Sequence, residues 1–126
     1  MIERSLCAEY DMSEDCLFFD PVIKAAPAWT GFEFMAQAIS ALSGIRDRVN
    51  GEEPKLGFIM SVSSMRIRLA SFKAGTCLEV KVRECSAMDL VYTFQGEVSI
   101  EGRIIMEGRL TVMNASYEQV RMLKGI

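Results

Sequence analysis

Between residues 65 and 112 apolar and polar positions alternate with a period of two, whereas residues 27–49 are mostly apolar or small. The first pattern predicts half-buried strands and the second a long helix. Met65, Ile67 and Leu69 alternate with Arg66 and Arg68, and Leu78, Val80 and Val82 with Glu79, Lys81 and Arg83. Tyr92, Phe94, Val98 and Ile100 interleave with Thr93, Gln95, Glu97 and Ser99. Ile104, Met106, Leu110 and Val112 do so with Arg103, Ile105, Glu107, Arg109 and Thr111. Each such strand offers one side to a core and the other to water. The short links Glu101-Gly102 and Ala87-Met88-Asp89 make neighbours antiparallel hairpins. Further strands are predicted near residues 56–61 and 3–10, and residues 117–124 read as a short helical tail.

Pro27 suits the first turn of a helix, where its missing N–H costs nothing, and Asn50-Gly51 with Pro54 stops the pattern near Val49. The order is therefore strand, long helix, then about five antiparallel strands. It predicts an α+β domain in which a curved antiparallel sheet of about six strands wraps one long central helix. At 126 residues the chain forms a single domain, residues 1–126.

Composition narrows the chemistry. A formal charge of −3 opposes a nucleic-acid footprint, which needs a surplus of Lys and Arg. No apolar run approaches the roughly 20 residues of a membrane span, and residues 1–13 have no hydrophobic signal core, so a soluble, cytoplasmic protein is expected. Cys7, Cys16, Cys77 and Cys85 have no CxxC spacing and are expected to be reduced and mostly packed. The chain contains no histidine. That excludes Ser-His-Asp and Cys-His pairs and HExxH sites within this chain, and nothing in it suggests a metal or a cofactor.

One carboxylate stands out in the apolar stretch PAWTGFEFMAQAISALSGI: Glu33. At about 100° per residue, Thr30, Glu33, Gln37, Ser40 and Gly44 share an arc of roughly 80° on an otherwise apolar rod. If the helix begins at Gly31, Thr30-x-x-Glu33 is a capping box. If it begins at Pro27, Glu33 lies about two turns in, caps nothing, and is a candidate site carboxylate.

These residues resemble a known family. Pro27-Ala28 followed by Glu33-Phe34-Met35-Ala36-Gln37-Ala38 is similar to the helix of hotdog-fold 3-hydroxyacyl-[acyl-carrier-protein] dehydratases, in the subgroup of aryl-polyene-type clusters. Phe18-Phe19-Asp20-Pro21 stands where that family has His-Phe-Pro, and Phe72-Lys73-Ala74-Gly75-Thr76 resembles its Pro-x-x-Gly-Asp turn. The resemblance implies a hotdog fold and a 3-hydroxyacyl thioester substrate, carried by acyl carrier protein or coenzyme A in fatty-acid or polyene-lipid synthesis. It implies Glu33 as the helix acid that protonates the departing hydroxyl, its pKa raised by burial, with Asp20 as a second carboxylate. The blander reading of Asp20 is an Asp-Pro turn. Ala28 falls at the glycine whose free N–H polarises the thioester carbonyl, and the family's histidine falls at Phe19. Pro27, Trp29, Gln37, Gly57 and Phe58 complete the implied substrate-binding set.

Three activities follow from the resemblance: a dehydratase-like enzyme, a hotdog thioesterase, or a non-catalytic subunit that binds an acyl chain or completes a heterodimer with a histidine-bearing relative. Arg66, Arg68, Lys73, Lys81 and Arg83 either dock an acidic carrier protein or form solvated strand faces. Met35, Met60, Met65, Met88 and Met106 either line an acyl tunnel or fill the core. A single sheet with one helix leaves an edge and a helix flank uncovered, which predicts a homodimer, or a heterodimer with a related hotdog subunit.

Overall fold

The computed structural model describes residues 5–52 and 56–115, with the side chains of residues 56–58, 114 and 115 outside the description. The helical tail expected over residues 117–124 lies outside the described residues.

The chain runs β1 (Ser5–Asp11), β2 (Ala25–Pro27), α1 (Thr30–Val49), β3 (Leu56–Ile67), β4 (Ser71–Lys73), β5 (Cys77–Met88), β6 (Val91–Ile100) and β7 (Arg103–Ala115). The five-stranded sheet has the order β1-β5-β6-β7-β3, and β2 pairs with β4 in a second, two-stranded sheet. All pairings are antiparallel. The expected six strands thus become five and a small pair. The two strands predicted at 56–61 and 65–69 are one, β3, whose register with β7 shifts between Ile59 and Ser61 and again between Ser63 and Arg66. These bulges break the alternation in the sequence without ending the strand.

Tight turns follow the predicted chemistry. Glu101 and Gly102 join β6 to β7 with φ of 51° and 78°, the left-handed pair that matches the twist of a two-residue hairpin. Helix α1 ends as predicted, with Asn50 as C-cap and Gly51 at φ 71°. Its start differs. Pro27 closes β2 opposite Ser71 and the first helical residue is Thr30. A residue with fixed φ and no N–H suits a short edge strand as well as a helical first turn, so Pro27 alone does not distinguish them.

Phe34, Met35, Ala38, Ile39 and Leu42 are buried on one face of α1, at the spacing a 3.6-residue period requires. That face packs on β5, β1 and β6. Beneath it lie Leu78, Val80, Val82, Phe94 and Val98, all buried. Each large side chain so buried contributes roughly 1.5–3 kcal/mol. Close approach needs small residues: a Cβ on Gly31 would collide with Met106, and one on Gly96 would lie 2.7 Å from the Met35 sulfur.

Both ends of the helix are tied down. The Thr30 hydroxyl donates to the Pro27 carbonyl at 2.7 Å. At the other end Arg46 Nη1 donates to Glu84 Oε1 at 2.7 Å, where a register shift next to Glu84 distorts the β5–β6 ladder.

The helix does not cover the whole inner face. Ile59 and Ile67 stand opposite the buried Val112 and Met106, yet they are 44% and 42% exposed. Met65, Ile67 and Leu69, expected in the core, are all exposed because β3 is the last strand of the sheet and α1 is not packed over it.

Candidate functional site

Glu33 sits in the first turn of α1, exposed to solvent. The burial expected for it is absent from the single chain, because the opposite face of the helix is the one pressed on the sheet. Gln37, Ser40 and Gly44 are exposed with it. Thr30, predicted on the same stripe, turns inward and is fully buried. No capping box forms: the N-cap is Trp29, without a side-chain cap bond, and the Thr30 hydroxyl is used on Pro27. An acid in the first turn is favoured by the helix dipole, whatever else it does.

The helix start is held by long-range backbone pairing. Ala28 donates its N–H to the Ala70 carbonyl at 2.9 Å, so the free donor expected at Ala28 is engaged. Gly31 and Phe32 donate to Ala28 and Trp29 in tight turns. Among the described residues the N–H groups of Trp29 and Thr30 have no backbone acceptor. Of the two residues Trp29 is exposed and Thr30 fully buried, so the helix start presents the Trp29 donor to an incoming oxygen. Sequence reasoning chose Ala28 and missed these two, because only the fold brings Ala70 to Ala28.

The segment before the helix packs around this start. Phe18 meets Trp29 edge-on, with centroids 5.6 Å apart. Trp29 is exposed, one helical turn before Glu33 and on its side of the helix. Phe19 is half-buried against the core, its N–H bonded to the Cys16 carbonyl. Asp20 Oδ1 accepts the Val22 N–H at 2.8 Å, and the Asp20 backbone is bonded in both directions to Ala25. Gly57 and Phe58 lie in β3 opposite Asn114 and Met113, placed by backbone alone.

The basic residues divide into two groups. Arg66 on β3, Arg68 in the link to β4 and Lys73 on β4 are exposed on either side of Ala70. Lys81 and Arg83 stand on β5, with Lys81 Nζ 3.4 Å from a Glu79 carboxylate oxygen. The methionines divide as well: Met35 and Met106 are core, whereas Met60, Met65 and Met88 are exposed.

Two depressions of about 540 and 490 Å³ lie elsewhere, the first lined by Cys7, Lys81, Arg83 and Glu97 and the second by Glu9, Cys77, Glu79 and Glu101. Neither contains Glu33. Cys7, Cys77 and Cys85 are exposed and only Cys16 is buried, which corrects the expectation of mostly packed thiols. Burial and the nearby Glu79 raise the Cys7 pKa, and a hydrogen bond to Asp11 raises that of Cys77, so both favour the less reactive thiol form. No cluster of metal-ligating side chains occurs among the described residues. Nor, among them, is any helix long and apolar enough to cross a membrane.

The ApeP-like family, described as ApeP dehydratase, matches residues 1–124. The chain belongs to that family. Among solved structures, this ApeP-like chain is similar to the dehydratase heterocomplex ApeI:P from Xenorhabdus doucetiae, with a TM-score of 0.89 at 23% identity over 98% of this chain and 84% of that one. A thioesterase superfamily member from Thermus thermophilus gives 0.72 at 19% identity, covering 98% and 90% of the two chains. A hypothetical thioesterase with coenzyme A from Streptococcus pneumoniae gives 0.70 at 11%, covering 92% and 85%. At these identities the likeness shows the hotdog fold, as the resemblance implied. No curated protein sequence matches the ApeP-like chain.

Proposed function

We propose that this ApeP-like chain is the acid-bearing subunit of a two-chain dehydratase acting on 3-hydroxyacyl thioesters. The observation that carries this reading is the state of Glu33: a carboxylate on a helix, facing solvent and outside the two depressions described above, in a chain without a histidine to act beside it. Half of an acid–base pair is present. The uncovered Ile59 and Ile67 and the exposed stripe of α1 provide a surface on which a second hotdog subunit, bearing a histidine, completes the site. The solved relative, a dehydratase heterocomplex, supports a partner of that kind.

In this reading the partner's histidine removes the proton from the carbon next to the thioester carbonyl. The N–H of the exposed Trp29, at the helix start, stabilises the enolate oxygen. The electron pair then forms the carbon–carbon double bond as the C3–O bond breaks, and Glu33 gives its proton to the departing hydroxyl, releasing water. Covering Glu33 with the partner excludes bulk water from the proton transfer.

The test is dehydration of 3-hydroxyacyl thioesters, on acyl carrier protein and on coenzyme A, by the chain combined with a histidine-bearing hotdog relative. The substitution Glu33→Gln is expected to lower kcat by about 100-fold or more with little change in KM, the range for loss of a general acid. Release of free acid instead of water would turn the assignment to a thioesterase. Full dehydratase activity in Glu33→Gln would remove Glu33 from the chemistry altogether.

A further inference from the structure

We infer that the outer face of the sheet carries an anion site centred on Arg83 and Gln95, suited to the phosphate group of a small soluble phosphomonoester. The site is independent of the two-chain reading above, because it and Glu33 lie on opposite sides of the sheet. Arg83 follows the buried Val82 on β5, and Gln95 follows the buried Phe94 on β6. Val82 and Phe94 lie beneath α1, and successive strand residues point to opposite faces, so Arg83 and Gln95 point away from the helix.

The pairing register sets the outer side chains in rows across the sheet. One row reads Ser5, Arg83, Gln95, Arg109 and Ser63, over β1, β5, β6, β7 and β3. The next reads Cys7, Lys81, Glu97, Glu107 and Arg66. The second row mixes both signs, whereas the first has two cations and no acid. Acids outnumber bases in the chain by 17 to 14, so composition alone does not produce an acid-free row. Lys81 is already matched: its Nζ lies 3.4 Å from Glu79 Oε1, which also accepts the Cys7 thiol hydrogen at 3.6 Å. Among the described residues the side chains of Arg83 and Arg109 have no hydrogen bond or ion pair.

The depression of about 540 Å³ gives this unmatched charge a shape, with Arg83, Gln95, Lys81 and Glu97 in its lining. Arg83 and Gln95 are direct cross-strand neighbours, with Cβ atoms about 5 Å apart. Lys81 stands two residues along β5, about 7 Å away. Donors therefore reach the depression both across the sheet and along it. A planar carboxylate is satisfied by one guanidinium fork, whereas the terminal oxygens of a phosphate take donors from several sides. Glu97 at the Lys81 end, with Glu79 and Glu107 near it, repels an extended anionic surface. A single compact anion at the Arg83 end escapes most of that repulsion.

The experiment is an NMR titration of the full chain with inorganic phosphate at constant ionic strength. Backbone amide shifts in residues 81–83 and 95–97 are expected to saturate, with a Kd of about 10 mM or below. Arg83→Gln is expected to weaken binding by about 10-fold or more, the range for a lost hydrogen bond to a charged group, with an unchanged circular dichroism spectrum. Arg109→Gln is expected to weaken it by about two-fold, through attraction over a longer distance. Arg103→Gln, at the exposed start of β7, is expected to leave it unchanged. Shifts that rise without saturating, or that spread over every exposed basic residue, would overturn the site, as would undiminished binding by Arg83→Gln. Acetate titrated in the same way is expected to bind at least about five-fold more weakly, and equal binding would overturn the assignment to phosphate. Vesicles containing phosphatidic acid are expected to leave the chain in the supernatant. Sedimentation with them that Arg83→Gln abolishes would place the phosphate on a lipid headgroup and overturn the soluble ligand.

Discussion

β1 and β3 both end the sheet, but they present different surfaces. β1 carries Glu9 and Asp11 among its exposed positions, and Glu9 stands directly opposite Glu79. β3 carries no acid, leaves Ile59, Met60, Met65 and Ile67 exposed, and is kinked at two places. Charge on an edge strand discourages further pairing, whereas an apolar edge beside an uncovered inner face lowers its free energy by acquiring a neighbour. The helix makes the same division. It packs mainly on β1, β5 and β6, and Glu33 on it is exposed. One end of the domain is finished within the chain, and the other is suited to a partner.

The contrast predicts effects of different size at the two ends. In the covered half, Phe94→Ala should destabilise the isolated chain by about 3–5 kcal/mol in urea unfolding, against less than about 0.5 kcal/mol for Ile67→Ala in the open half. A similar loss at both positions would mean that the β3 end is packed within the single chain. Next in size, Ile59→Glu with Ile67→Glu should weaken association with the histidine-bearing subunit by about 100-fold, or about 2.7 kcal/mol, by analytical ultracentrifugation. The circular dichroism spectrum should not change, and undiminished association would place the interface elsewhere. The smallest effect is at the guarded edge. Glu9→Thr relieves the cross-strand repulsion with Glu79, already offset by Lys81, and should stabilise the chain by about 0.2–1 kcal/mol without altering association.

Where a local rule decides structure, it is legible in the sequence. Glu101-Gly102 makes its turn and Asn50-Gly51 ends its helix because left-handed backbone positions favour glycine and the short polar residues. The alternation over β5, and over β6 and β7 away from the register shift between Val98 and Ser99, reports two faces because one is buried by α1 and by the neighbouring core. At the shift the pattern fails, with Ile104 exposed and Ile105 and Ser99 buried, the reverse of the alternation expected. The same alternation in β3 is misleading. Apolar spacing records that a side will be covered, not whether the cover comes from this chain or another. The helix start was illegible for a related reason: Pro27 suits both a strand end and a helical first turn, and its pairing with Ser71 decides between them.

For the candidate site, the sequence alone determined the inventory: a carboxylate at position 33 among apolar residues, Phe19 and Asp20 upstream, and no histidine anywhere. It also determined the order of strand, helix and strands, because hydrophobic period and turn chemistry act over a few residues. Only the tertiary structure decided that Glu33 faces outward, that Ala28 gives its N–H to Ala70, and that Asp20 is held within its own turn. Those outcomes depend on which distant backbone groups and surfaces meet, and hydrogen bonds and burial are settled by such meetings and not by local spacing.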